Sequence, residues 1–518
     1  MCIVNLRGRV WCKFLLFYHC SAPPELFSGG VLLSPSPFPT ISYQYKKGEP
    51  EMNRQSVSKV KWPSTLGPIS LGIALTLAAL LALLALPALT RADGPDKAKI
   101  VVQIDDNDAI VRDIGFTAPI SGLKALEMTG LKVITYDAGW GIAVCSIDGV
   151  GCPADNCFSC DPDGKYWGYN YWDSSLNDWQ GYLVGATSSS LNDGAIDGWR
   201  WGAWGANPML PAPPITSAST ALTWLRGQQQ LDGGYGSAGA AVESMLSIGA
   251  NRYLAANWRP NGTLSGPSLG SYVFGHSAAY VSGGGPAASG KLAVAIAASG
   301  NLWPAGVMKP MGYYSPTTGA YGSEGSAPHA WAMLGTAALS QPVPITAVNY
   351  LKGMMQSNGA WEWSPGWGTD TNSTALAIQA LVAAGEPITS SAIISAVTYL
   401  QAAQNSDGGF PYDPNSAWGT ASDTNSTAYV IQALQAIKQD SLSGSANLGS
   451  LVLTDTKPIS FLLSMQLPDG SFEWQSGGGS NLAATQQAIP ALLGKAFPLK
   501  IREVADSPAV YLPVVIKQ

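Results

Sequence analysis

Charge is scarce in this chain of 518 residues, of which only 12% are Asp, Glu, Lys or Arg. Most of the basic excess is spent early: the first 92 residues hold nine Lys/Arg against three Asp/Glu, which leaves 19 basic and 31 acidic groups beyond them. An acidic body without a basic cluster argues against a nucleic-acid partner. Cysteine and histidine are scarcer still. All seven cysteines precede residue 161, and between 218 and 498 the only histidines are His276 and His329. Zinc needs thiolate, imidazole or carboxylate ligands in a set, so a stretch with no thiolate and two isolated imidazoles suggests no metal site. We read both histidines as loop or pocket residues.

What the chain has is apolar mass, 46% of its residues, and a repeat. Asp370-Thr-Asn-Ser-Thr-Ala-Leu-Ala-Ile-Gln-Ala-Leu381 returns 53 residues later as Asp423-Thr-Asn-Ser-Thr-Ala-Tyr-Val-Ile-Gln-Ala-Leu434. Each copy opens on Asp and Thr, whose side-chain oxygens suit a helix start, and continues apolar nearly all round, as a buried inner helix does. Before each lies an amphipathic segment, with Val348, Leu351 and Met355 or Ile393, Val397 and Leu400 on one face, and then a glycine turn with an aromatic. Six such turns align, at Asp232-Gly-Gly-Tyr235, Asn261-Gly-Thr-Leu264, Thr318-Gly-Ala-Tyr321, Asn358-Gly-Ala-Trp361, Asp407-Gly-Gly-Phe410 and Asp469-Gly-Ser-Phe472. A helix pair of this kind cannot cover its own apolar face, so the pairs must stack.

Residues 1–51 show no sustained period. Met52 begins an export signal, with Arg54, Lys59 and Lys61, an apolar run from Ile69 to Leu86 and Thr90-Arg91-Ala92 before Asp93. We expect Met52 to be the true start and residues 52–92 to be a signal peptide or signal anchor, so that the body is secreted or displayed at the cell surface. An uncleaved run would be the protein's only contact with a membrane. Residues 93–205 read as a small β-rich α+β domain, with strands at 100–104, 132–136 and 143–147 and a short helix at 121–129. The acidic Asp105-Asp106-Asn107-Asp108 reads as a solvated turn. In an exported chain the cluster Cys145, Cys152, Cys157 and Cys160 implies two disulfides, with three connectivities open. Pro208, Pro211, Pro213 and Pro214 mark 206–217 as a linker, 218–498 hold the repeats, and 499–518 form a short apolar tail.

Gln356-x-x-Gly359-x-Trp361 resembles the glutamine-tryptophan repeat of the terpenoid cyclase and protein prenyltransferase superfamily, with Gln404 to Phe410 and Gln466 to Phe472 as relaxed copies. That resemblance implies an all-α (α/α)6 toroid of helical hairpins. Proton-donating cyclases of the superfamily carry D-x-D-D-T-A; here the donor positions are Asn372 and Asn425, and a neutral amide is no acid near pH 7. The Asp, Cys and His zinc ligands of prenyltransferases and the Cys-Gly-Glu-Gln thioester of complement-type toroids are missing as well. Residues 93–205 resemble the β domain of transcobalamin, intrinsic factor and bacterial relatives, through Gly122-Leu-Lys-Ala-Leu126, Cys145-Ser-Ile-Asp-Gly149, Tyr171 to Tyr182 and Asp193 to Trp199. Those proteins hold cobalamin between toroid and β domain, and here the two modules come in the reverse order.

The loops between each glycine turn and its inner helix are rich in aromatics. If the inner helices start at one rim, Tyr321, Trp363, Trp367, Asp370, Tyr412, Trp418, Asp423 and Trp474 would line its mouth. The expectation is an exported, non-enzymatic binding protein without a cofactor. Its ligand would be a small molecule or glycan, a corrinoid such as cobalamin included, with the β domain as a lid. The alternatives are a terpene-cyclase-like enzyme acting on an isoprenoid and a surface structural or adhesive protein.

Overall fold

The computed structural model describes residues 95–105, 108–139, 141–203, 209–261, 263, 265–322, 325–417, 419–441 and 456–499, together with two short strands, Cys2–Val4 and Val10–Cys12. Those two strands pair antiparallel within an amino-terminal unit, Met1–Leu89. The second unit, Thr90–Gln518, carries every other element. The export segment, the rest of 1–51 and the tail beyond 499 lie outside the described residues. Among those described, no helix is long and apolar enough to cross a membrane.

The β-rich region runs β1 (Asp96–Asp105), β2 (Asp108–Phe116), α1 (Gly122–Met128), β3 (Val133–Asp137), β4 (Ile142–Ile147), β5 (Val150–Gly151), β6 (Tyr166–Asp173), β7 (Asp178–Gly181) and β8 (Ile196–Gly202). Five strands make one sheet in the order β2-β1-β8-β6-β7, with β8 parallel to β1 and the other pairs antiparallel; β3, β4 and β5 make a smaller sheet. On one face Ile100, Val102 and Ile104 pack with Leu126 and Trp199, while Val101, Ala109 and Val111 on the other face join the core of the helical region. A strand buried on both faces reads as an unbroken apolar run, as Ile100-Val101-Val102 does. Cys145 pairs with Cys157 and Cys152 with Cys160, which selects one of the three connectivities.

Two boundaries depart from the sequence reading. The expected linker ends early, because α2 begins at Ala212 with Pro213 and Pro214 in its first turn, where a missing N–H is no loss. Nor does it separate two bodies: Met209 lies in the same core as Val101, and the N–H of Leu210 donates to Oε1 of Gln103 at 2.7 Å. Strand β2 was not expected at all. Its Arg112 is buried, donating to the carbonyl of Asn251 and lying 4.1 Å from the ring of Tyr253, partners that no local pattern announces.

The helical region follows as α2 (Ala212–Gly227), α3 (Ala238–Ala250), α4 (Leu269–Ser299), α5 (Ser326–Ala338), α6 (Ile345–Gly353), β9 (Trp361–Glu362), β10 (Thr369–Asp370), α7 (Thr371–Ala383), α8 (Ser391–Ala403), α9 (Thr424–Ser441), α10 (Thr456–Ser464), β11 (Phe472–Glu473), β12 (Ser480–Asn481) and α11 (Leu482–Leu492). Helices α3, α4, α5, α7, α9 and α11 each pack on the next, and α11 packs back on α3, so that six helices close a ring. Burial separates inner from outer: α7 is buried from Ser373 through Leu381, whereas α6 buries only Ala347, Val348 and Leu351.

Helix α4 contains both kinds. At Gly285, with φ 54° and ψ −140°, and Pro286, it breaks. Before the break the buried residues are a stripe of Leu269, Gly270, Val273, Ser277 and Val281; after it nearly every residue is buried. The second hairpin therefore turns at Gly285, and the Asn261 signal falls instead in the connection from α3 to α4. In the third hairpin the outer helix shrinks to the single turn Pro310–Tyr313.

The turn glycines explain how neighbours stack. Gly233, Gly319, Gly359 and Gly470 have φ of 87°, 78°, 85° and 93°. A Cβ there would stand 2.6 to 2.7 Å from the carbonyl oxygens of Ser268, Thr346, Ser395 and Thr220, each at or in the outer helix of the next pair. Glycine is thus required twice, for a left-handed backbone and for close approach. Gly470, in the last pair, meets Thr220 in the first.

One end of the ring is covered. Beyond α11, Phe497 lies 5.4 Å from Trp331 of α5 and its N–H donates to Oε1 of Gln379 in α7 at 2.8 Å. Beside it Lys495 pairs with Asp108, which also takes Arg252 at 2.5 Å. The β-rich region thus meets the ring where α3 and α11 end, away from the helix starts. It is not a lid over the aromatic rim.

Candidate functional site

The inner helices start as the sequence suggests. Asp370 caps α7, accepting from the N–H of Ser373 at 2.6 Å and from its hydroxyl at 2.7 Å, and Asp423 makes the same pair of bonds with Ser426 at 2.8 Å. Capping of this kind satisfies a free helix N–H. Tyr412 from the following loop lies close enough to favour the ionised form of Asp370, and Trp474 does the same for Asp423. The backbone repeats the arrangement, with Thr371 N–H on the carbonyl of Tyr412 and Thr424 N–H on that of Trp474, both at 2.9 Å. Burial pushes the Asp370 carboxyl up to about 6 in spite of these donors, and raises Asp423 for the same reason.

The aromatic candidates divide. Tyr321 is 1% exposed and its hydroxyl meets Thr336 at 3.1 Å, so it belongs to the core and not to a rim. It stands where Trp361, Phe410 and Phe472 stand in the later repeats, all buried. Each of these later three passes its N–H to a threonine of its inner helix, Thr374, Thr427 or Thr485; in the Tyr321 repeat the acceptor is Nδ1 of His329, at 3.1 Å. His329, expected in a loop or pocket, is therefore a buried residue of α5. Its Nε2 meets the carbonyl of Ala347, and burial lowers it to about 4, so it is neutral. His276, expected in a loop or pocket, lies on α4 and stacks on Tyr272. Trp367, Tyr412 and Trp474 are exposed and Trp363 is half-buried, on the loops leading to α7, α9 and α11; Trp418 lies outside the described residues. The structure thus joins Asp370 to Tyr412 and Asp423 to Trp474, and leaves Tyr321 out.

Asn372 and Asn425, at the proton-donor positions, are half-buried one residue into their helices. The amide of Asn425 donates to Oε1 of Gln487 on α11 at 2.5 Å.

Sequence reading missed a second cluster, inside the ring. Glu243 and Lys291 are the only charged residues of α3 and of the second half of α4, and they meet at 2.6 Å. The Lys291 ammonium lies 4.7 Å from the ring of Trp331 on α5. Tyr280, on the first half of α4, and Tyr429, on α9 across the ring, both feel its charge. Burial disfavours that charge, but the Glu243 carboxylate more than offsets it and holds the ammonium above its ordinary value. A lone charge in each of two otherwise apolar inner helices was the available signal. Among the described residues no three His, Cys, Asp or Glu gather as a metal site.

Residues 325–493 match the family model of the squalene-hopene cyclase C-terminal domain. No curated protein sequence matches the chain. Among solved structures it is similar to the type II terpene cyclase MstE from Scytonema, at 16% identity over 54% of this chain and 97% of that one with a TM-score of 0.35. It is also similar to a protein from Actinoplanes, at 14% identity over 54% and 99% with a TM-score of 0.36, and to the protein geranylgeranyltransferase-I of Candida albicans, at 14% over 55% and 86% with 0.32. The helical region of this chain has a terpenoid-cyclase-like fold, preceded by a β-rich region that carries two disulfides.

Proposed function

We propose that the helical region acts on an isoprenoid as a terpene-cyclase-like enzyme, with the ligand received between the starts of the inner helices. The match of residues 325–493 to a cyclase domain carries this reading and ranks it above a corrinoid carrier. A β domain closing over the aromatic rim would have favoured the carrier, and the sheet packs at the other end. With Asn372 and Asn425 at the donor positions, the acid would be Asp370, whose carboxyl burial holds partly protonated near neutral pH and whose partner Tyr412 reaches the surface. The test is incubation of the full chain with squalene and with geranylgeranyl compounds, followed by analysis for cyclic products. Turnover that disappears in Asp370→Asn supports the reading, and no product from any of them ends it.

A second reading keeps the isoprenoid and drops the chemistry. It rests on the two amides at the donor positions and on the use of each of Asp370 and Asp423 as acceptor for the N–H and the hydroxyl of the serine three residues on, which suits a cap better than an acid. Saturable binding without product would select it.

A further inference from the structure

Three loops, 354–370, 404–423 and 465–481, lead from outer helices to the inner helices α7, α9 and α11, and each reaches the start of the inner helix before its own. The hydroxyl of Ser326, the first residue of α5, donates to the carbonyl of Glu362, and the N–H groups of Thr371 and Thr424 donate to the carbonyls of Tyr412 and Trp474. The starts of α5, α7 and α9 therefore carry, one after another, the loops of Trp363 and Trp367, of Tyr412 and of Trp474. Trp367 is 66% exposed, Trp474 49% and Tyr412 45%, whereas Trp361, Phe410 and Phe472 on the same loops are fully buried. The core of each repeat is already filled, so the second set of rings serves the surface, and large rings turned to solvent in a row mark a contact face.

Charge decides what the face contacts. The three loops hold seven carboxylates, two in the first, three in the second and two in the third, and no Lys, Arg or His. Three helix starts add about half a positive charge each, which is less than the five carboxylates left when the capping Asp370 and Asp423 are set aside. Those five, Glu362, Asp407, Asp413, Asp469 and Glu473, each accept an N–H of their own loop, so they act as a fixed negative field while the rings make the contact. A negative field behind exposed rings suits a cation, and the guanidinium of arginine is the side chain that stacks best on such faces. Length decides the rest. Helices α5, α7 and α9 pack in succession, and packed helices lie about 8 to 10 Å apart, so the row spans about 16 to 20 Å. A small cation would meet one ring; an extended chain of about five or six residues, at about 3.3 Å each, meets all three.

We propose that this face docks a basic, extended segment of another protein, with arginine side chains lying on the rings of Trp367, Tyr412 and Trp474. The proposal goes beyond the isoprenoid reading and does not depend on it. A neutral glycan would use the rings and leave the field without a purpose, and an acidic partner is repelled.

The test is calorimetric titration of the full chain at 0.15 M salt with hexa-arginine, hexaglutamine, N-acetylarginine amide and cellohexaose. The expected result is saturable binding of hexa-arginine, at least tenfold tighter than that of hexaglutamine or of the single arginine. Trp367→Ala, which removes the most exposed ring, should weaken it at least threefold, and the triple variant with Tyr412→Ala and Trp474→Ala should bring it down to the level of hexaglutamine. Melting temperature checks that the variants are folded, and if the triple variant is not, Trp367→Ala decides. Affinity for hexa-arginine that the folded variants keep in full would mean attraction by net charge alone and overturns the proposal. Binding of cellohexaose through these rings without binding of hexa-arginine overturns it in favour of a glycan. No binding of hexa-arginine overturns it too, whatever product the chain makes or fails to make from an isoprenoid.

Discussion

Gly470 lies against the carbonyl of Thr220, the closing contact between the last helix pair and the first. A ring needs such a contact once, and here it uses the same glycine position that stacks Gly359 on Ser395 and Gly319 on Thr346.

Gly470→Ala should therefore destabilise the chain more than an ordinary turn substitution. A left-handed alanine costs about 1 to 2 kcal/mol and the forced contact about 1 to 3 more. Gly477→Ala, with φ 79° and open space around it, should show the strain alone. Urea unfolding of both variants measures the difference, and equal losses would mean that the closing contact carries nothing.

Acid should act on the inner helices in two directions. His329 is held near 4, below its ordinary 6.5, so the stability that its neutral form contributes is present above 6.5 and is lost as pH falls toward 4. Asp370 is raised to about 6, so the folded chain holds its proton more tightly; its burial cost is greatest above 6 and is relieved as pH falls toward 3.8. His329→Thr, which installs the acceptor found at Thr374, Thr427 and Thr485, should remove the loss and leave only the gain. Melting temperature followed from pH 7 to 4 in both proteins checks the sign.

Substitution at Asp370 separates cap from acid. Asparagine caps a helix as well as aspartate does, whereas alanine costs about 1 kcal/mol or more. Asp370→Asn should stay within a few tenths of a kcal/mol of the native stability by urea unfolding, and Asp370→Ala should fall below both. Turnover lost in the asparagine variant at unchanged stability would mark an acid; turnover retained would return Asp370 to the cap alone.

Asp108 holds Lys495 and Arg252 together where the β-rich region meets the ring. Burial would raise its carboxyl, but the two cations prevail and bring it down to about 2. Asp108→Asn leaves both cations without their shared partner and should cost about 3 to 5 kcal/mol. A loss below 1 kcal/mol in urea unfolding would show that the contact between region and ring does not depend on this pair.

The disulfides offer a check confined to the β-rich region. Cys145–Cys157 closes 12 residues and Cys152–Cys160 closes eight, and loops of that size contribute about 2 to 3 kcal/mol each by restricting the unfolded chain. Dithiothreitol should lower the melting temperature of the native chain. It should leave a variant with all four cysteines replaced by serine unchanged.

The sequence by itself determined the repeat and its chemistry. Asp-Thr starts, buried inner helices and glycine turns are local, because capping, periodicity and a left-handed backbone act within a few residues; they were legible from α6 onward. It determined that Asn372 and Asn425 are amides and that the four cysteines serve as disulfides. Only the tertiary structure decided which cysteines pair, that β2 exists around a buried Arg112, and that Gly285 replaces the Asn261 turn. It also decided that Tyr321 and His329 are core and that the sheet covers the end of the ring away from the aromatic rim. Above all it decided the meeting of Glu243 with Lys291. Those residues are 48 positions apart, each a single charge in an apolar helix, and Coulomb attraction in a low-dielectric interior joins them only once the ring has brought their helices side by side.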